Sequence, residues 1–380
     1  MQHPVTFADL SPQLSKILSP GAPAPIKLMA ADGMAPLPTG DLLIALYALA
    51  YDADEKVSHK ARATVGNLPE SVLGGALEQV TRQEVLDGLA PLLAGRPTML
   101  HKVLLNKSLA DETAVMIARS CNSEDTLEMI AANETRMLAC PAIIEALYHN
   151  KKARMSTVDR AVELAVRAGI ELLGIPSFEQ IKAALTGGTA PSEAGPEPAL
   201  VDDELHASLL EEAAEEIDEA TVSAILESNS TEQPIETPEE TQKKVESLMK
   251  TLSKLNICSK IRLATLGNAS QRAMLIRDSN KLVIMAVVQS PGIRDSEVML
   301  YSRYRTLPED AVRFIARNRE WTKHYTVKLN LAQNPRTPLE FALRFLPHLR
   351  ANDLRAIERD KNVSGAVAKA AKELRSKRSN

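Results

Sequence analysis

The chain has 380 residues, with 45 Lys and Arg set against 49 Asp and Glu for a formal net charge of −4. That length exceeds what one compact core organises and fits two domains with connecting segments. Aromatic residues make up 3% of the chain while Ala, Leu and Glu abound, which excludes a sheet core built on aromatic and β-branched side chains and points to an all-α fold.

The near balance of charge conceals an asymmetry. Residues 1–190 carry 17 bases and 21 acids, 191–240 carry 16 acids and no base, and 241–380 carry 28 bases and 12 acids. An acidic connector therefore joins a nearly neutral half to a half of net charge +16. Residues 1–20 have no basic start followed by an apolar run, so no secretory peptide is expected. The longest apolar run, 42–51, is too short to cross a bilayer, and no membrane insertion is expected. Cys121, Cys140 and Cys258 are sparse and odd in number, which suits reduced thiols in a cytoplasm rather than a disulfide framework.

In chain order, Pro12, Pro20, Pro23, Pro25, Pro36 and Pro38 make residues 1–38 a Pro-rich extended N-terminal arm, with one short helix near 7–18. Leu42, Leu43, Leu46 and Leu49 then open an N-terminal helical domain over 39–186, as an apolar stripe of helical period. Helices are expected near 55–65, 70–80, 82–93, 99–105, 111–119, 124–133, 142–149, 157–168 and 178–185. Breaks between them carry Gly, Pro, Asn or a Ser, Thr or Asp cap.

Gly187, Gly188, Pro191, Gly195, Pro196 and Pro198 mark the start of a long, partly disordered acidic linker over 187–240. Within it Leu205, Leu209, Leu210, Ala213, Ile217, Ala220 and Ile225 recur at roughly helical spacing. Two readings stand: a solvated helix inside a flexible connector, or an amphipathic segment that docks onto a groove in this molecule or another. The first carries more weight, because an isolated helix of this size is marginal.

The basic C-terminal domain spans 241–380. Successive helix starts at Ser296, Pro308, Lys323, Pro338 and Asp353 are 12 to 15 residues apart, a regularity that suits stacked helix pairs. Thr337-Pro338-Leu339-Glu340 and Thr306-Leu307-Pro308-Glu309 read as capping boxes. The halves also echo each other. Glu124-Asp125, Ile130-Ala131 and Asn133 reappear 185 residues later as Glu309-Asp310, Ile315-Ala316 and Asn318, and Asn334 and Thr337 answer Asn150 and Thr157.

Asn334-Pro335-Arg336-Thr337-Pro338-Leu339-Glu340, followed by Ala342-Leu343 and Phe345-Leu346, resembles the Asn-Pro-x-Thr-Pro opening of variant leucine-rich repeats. More broadly, the chain is similar to HEAT/armadillo-type α-solenoids of bacterial proteins. The resemblance covers both halves in architecture and 307–351 in motif. It implies two helical-repeat domains with rigid curved surfaces that bind other macromolecules, usually without catalysis.

No catalytic constellation is visible. The glycines of 66–75 lack the Gly-Lys-Ser/Thr ending of a phosphate loop, and there is no His-Glu-x-x-His, Cys-x-x-Cys or Gly-x-Ser-x-Gly. Neither enzyme activity, nor cofactor, nor metal is expected. What rises above background is a basic, aromatic patch, since seven of the chain's 12 aromatics lie between Tyr301 and Phe345. Its candidate partner-binding residues are Arg303, Tyr304, Arg305, Arg313, Arg317, Arg319, Trp321, Lys323, Tyr325, Lys328 and Arg336. Trp, Tyr and Arg together make a binding hot spot. Equally, the rings fill gaps between short helices while the bases are solvated. The resulting expectation is a non-enzymatic scaffold for protein–protein interaction, with the acidic linker regulating access. The alternative is a nucleic-acid-binding protein that uses the basic domain, with the linker as an internal competitor.

Overall fold

Helices are the only regular elements in the computed structural model, which describes residues 10–19, 21–79, 82–93, 95–186, 197–212 and 239–379; no strand occurs among these residues. The chain divides into two units, Met1–Ile170 and Glu171–Asn380.

The first unit contains α1 (Pro12–Leu18), α2 (Ala24–Ala31), α3 (Thr39–Ala50), α4 (Glu55–Asn67), α5 (Glu70–Gln79), α6 (Gln83–Leu89), α7 (Pro97–Leu105), α8 (Asp111–Ser120), α9 (Glu124–Ala132), α10 (Glu134–Ala139), α11 (Ala142–His149) and α12 (Met155–Arg167). The first two helices correct the expectation of an extended arm. Proline initiates them instead of preventing them: Pro12 and Pro25 sit in first turns, where a missing N–H breaks no intrahelical bond. Ser11 Oγ caps α1 by accepting from Leu14 N at 3.3 Å, and Leu14, Leu18, Ala30 and Ala31 are buried. Residues 1–9 of that arm lie outside the described residues.

Helix α3 is apolar nearly all round, with Leu42, Leu43, Leu46, Tyr47 and Leu49 all buried. A helix of that kind belongs at the centre of its unit, and α1, α2, α4, α5 and α6 pack about it. Gly88 of α6 allows the closest approach, since a Cβ there would stand 2.1 Å from Tyr47 Cε2. Burial, followed by the nearby Tyr51, Glu84 and Asp87, pushes the Tyr47 phenol above its ordinary pKa.

The second unit contains α13 (Phe178–Thr186), α14 (Glu197–Glu212), α15 (Glu239–Lys254), α16 (Ile257–Leu266), α17 (Ala269–Leu275), α18 (Lys281–Val288), α19 (Asp295–Tyr301), α20 (Glu309–Arg317), α21 (Tyr325–Gln333), α22 (Leu339–Phe345), α23 (Ala351–Arg359) and α24 (Gly365–Ser379). Here α13 departs from the expected boundary at residue 186. Phe178 and Ile181 are buried, α13 packs on α16 and α18, and the Ser177 and Thr265 hydroxyls hydrogen-bond at 3.1 Å. Helix α18 is the unit's apolar centre, burying Val283, Ile284, Ala286, Val287 and Val288. Burial of β-branched side chains here outweighs their weak helix propensity. A further cluster at the end of the chain joins Leu346, Leu349, Leu354, Ile357 and Val367.

From α19 to α23 the helix starts fall within two residues of the expected ones, but the expected capping boxes do not form. Pro338 and Pro308 themselves occupy the N-cap positions of α22 and α20, with no side-chain cap bond. Thr337 consequently lies one residue outside its helix, and its buried Oγ1 has no hydrogen-bond partner. A capping box forms instead at α17, between Asn268 and Gln271.

One device recurs in both units. Asn106, Asn150 and Asn334 each follow directly on a helix (α7, α11 and α21). In each the side-chain amide donates to carbonyls 29–32 residues earlier: Leu77 O at 3.2 Å, Ala118 O and Cys121 O at 2.8 and 2.9 Å, and Tyr304 O at 3.1 Å. The same side chain's Oδ1 accepts the N–H two residues on, at Ser108, Lys152 and Arg336. Loop carbonyls that face the interior are thereby satisfied.

Candidate functional site

The loop after α19 is fixed by side chains that leave its arginines outside. Tyr304 is buried, 6.0 Å from the Tyr301 ring and with the Arg277 guanidinium carbon 4.5 Å from its centroid. Asn330 Nδ2 donates to Met299 O at 3.0 Å and to Ser302 Oγ at 2.9 Å. Asn334 holds Tyr304 O, and Arg336 Nη1 donates to Thr306 O and Leu307 O, both at 3.1 Å. Beneath this lies Arg272, which pairs bidentately with Glu297 at 2.7 and 2.8 Å, both side chains being almost fully buried. Tyr301 OH also donates to Glu297, at 3.2 Å, so the start and end of α19 share one buried carboxylate.

Arg303 and Arg305 project from this rigid loop. With Asn330, Gln333 and Asn334 they line an open cleft of about 320 Å³. Both arginines are exposed; Arg305 has a long 3.5 Å pairing with Asp360, and Arg303 has no partner among the described residues. Two guanidinium groups and the Gln333 amide thus border one cleft, suited to a carboxylate or phosphate, while the Nδ2 groups of Asn330 and Asn334 are spent on holding the loop.

The other residues of the expected patch divide. Trp321 is 9% exposed and packs on Phe314 at 6.0 Å, so with Tyr304 it fills gaps between helices. The half-buried Tyr325 donates to Asp353, accepts from Arg350 N at 3.0 Å, and has the Arg350 guanidinium 5.0 Å from its ring centroid. Burial and then the Asp353 hydrogen bond hold its phenol above the ordinary pKa. Arg313 pairs with Glu309 one turn away and Lys323 with Glu320. Arg317 and Arg319 are exposed and Lys328 is half-buried. The cleft therefore takes in Arg303 and Arg305 from the expected set and is lined further by Gln333 and by Asn330 and Asn334, which hold the loop. A signal for these was present, since 330, 333 and 334 share one helical face.

A second meeting of acid and base lies at α14. The acidic segment is seated on its own unit: His206, Leu209 and Leu210 are buried while Glu204, Ala207, Ser208 and Glu211 face outward. Gln271 Nε2 donates to Leu209 O at 2.6 Å, reaching across 62 residues to satisfy a helix-terminal carbonyl. The solvated-helix reading thus gives way to the docked one for this part, while 187–196 and 213–238 lie outside the described residues. Burial, and secondarily the charge of the buried Arg262, pushes the His206 imidazole down to about 3.

Cys121, Cys140 and Cys258 form no disulfide among the described residues. Among the described residues no three His, Cys, Asp or Glu side chains are grouped to hold a metal ion, and no helix is long and apolar enough to cross a membrane. The chain matches no protein-family model, and no curated protein is significantly similar to it.

Proposed function

We propose that this chain is a non-catalytic helical-repeat scaffold of the HEAT/armadillo type, and that its second unit binds a protein partner through an acidic group held in the Arg303–Arg305 cleft. The observation that carries this reading is the cleft itself: two outward guanidinium groups beside Gln333, on a loop that Asn330, Asn334 and buried contacts hold in place. Preorganised donors of this kind lose little conformational freedom on binding. The asparagine tie, which in three places reaches back 29–32 residues, supports the repeat assignment. Three cysteines that form no disulfide among the described residues fit a reducing, cytoplasmic setting.

The charge of +16 over 241–380 favours the alternative, nucleic-acid binding. Against it, Tyr301, Tyr304 and Trp321 are buried and offer no stacking platform to bases. Affinity capture with the full chain and with its Arg303→Glu/Arg305→Glu variant separates the two. A protein partner held by the wild type and lost by the variant at equal salt supports the proposal. Identical protein partners on both forms contradict it, and recovery dominated by nuclease-sensitive material moves the assignment to nucleic acid.

A further inference from the structure

Helix α14 carries the anchors of a helix-in-groove ligand. His206, Leu209 and Leu210 stand at i, i+3 and i+4 and are at most 7% exposed, while Glu204 and Glu211 are exposed. The seat lies on α16, and Gln271 of α17 reads the helix backbone at Leu209 O. Gln271 is itself fixed, since its Oε1 accepts Asn268 N at 3.1 Å.

The fit is imperfect at one anchor. His206 is 2% exposed, its Nε2 has no hydrogen-bond partner, and the buried Arg262 guanidinium is close enough to disfavour a charged imidazole. A buried polar atom left unpaired weakens the seat by roughly tenfold. An apolar side chain at that position would remove the loss. Glycines and prolines precede the helix and prolines follow it, so it is joined to its unit by segments of linker composition.

We propose that this groove is a second docking site, for an acidic amphipathic helix of a partner protein, and that α14 is its built-in, deliberately weak competitor. The partner helix carries apolar side chains at all three anchor positions and acids on its outer face, matching the charge of +16 on residues 241–380, which form the seat. The inference rests on the scaffold reading above but uses a different surface from the Arg303–Arg305 cleft.

The test uses a fluorescein-labelled peptide of residues 197–212 carrying His206→Leu, with the full chain and with its Leu209→Asp/Leu210→Asp variant, in which the groove residues are unchanged. The peptide should bind the variant at least tenfold more tightly than the wild type, and Gln271→Ala in the variant should weaken binding by about tenfold. Equal affinity for both chains, or no binding to the variant while its helical melting profile matches the wild type, overturns the proposal. Hydrogen exchange on the unmodified chain gives an independent reading. Excess peptide should strip protection from the backbone amides of 203–211, and unchanged protection at saturating peptide contradicts the idea. Arg303→Glu/Arg305→Glu should leave peptide binding intact, so failure here is distinguishable from failure of the cleft.

Discussion

Each unit has a cleft beside a loop that an asparagine ties down, and the two clefts differ in chemistry more than in size. In the first unit a space of about 330 Å³ is bordered by Pro91, Pro97, Leu100, Met116, Ile117 and Cys121, next to the loop held by Asn150. In the second, about 320 Å³ is lined by Arg303, Arg305, Asn330, Gln333 and Asn334, next to the loop held by Asn334. Asn150 and Asn334 are equally buried, at 6% each. The scaffold is thus common to both units, while the side chains displayed on the tied loop are not. On the proposed reading, binding chemistry resides in those displayed residues, and the asparagine contributes position.

The largest effect should come from breaking the support peculiar to the second cleft. Glu297→Ala removes the buried carboxylate that balances the Arg272 charge, at an expected cost of about 3–5 kcal/mol, read as a lowered denaturation midpoint; a loss below about 1 kcal/mol would remove that support from the account. Next, Asn150→Ala should cost more than Asn334→Ala within a span of about 1–3 kcal/mol, because Asn150 serves two carbonyls where Asn334 serves one. Equal losses would show that the two ties are interchangeable.

The seat of α14 should respond to pH. His206 is neutral when docked, with a folded value near 3, against about 6.5 when released. The docked form therefore binds fewer protons. Its stability is complete above about pH 6.5 and falls as pH drops from there towards 3, by about tenfold per pH unit. Amide protection of 203–211, corrected for intrinsic exchange, should fall about tenfold between pH 7.5 and 5.5, and His206→Leu should abolish that dependence. Smallest of all, Arg303→Glu/Arg305→Glu should change stability by no more than about 0.5 kcal/mol, since both side chains are exposed. A larger loss in thermal melting would mean that these arginines hold the loop together.

Much of this architecture can be read along the chain. Apolar periodicity and proline or asparagine at helix ends locate the elements from α19 to α23, and the pairing of Asn150 with Asn334 is visible as a recurring residue. What fails is local grammar that depends on one residue of register. Pro338 takes the N-cap position itself, which displaces Thr337 from capping duty. Prolines 23 and 25 begin a helix because they fall at its entrance and not inside it. Long-range assembly is the least legible. Gln271 meets Leu209, and Ser177 meets Thr265, only after the chain has folded. The spacing of Leu205, Leu209 and Leu210 offers docking as one of two readings, but no local pattern locates the seat or shows that Tyr304 and Trp321 are interior residues while Arg303 is not.

The cleft is tested most directly by following arginine side-chain NMR signals of the full chain during titration with a short polyglutamate peptide. The account predicts saturable shifts at Arg303 and Arg305 that precede any change at Arg317 and Arg319. Uniform, non-saturating shifts across all four would contradict it, reducing the cleft to one part of a diffuse positive surface.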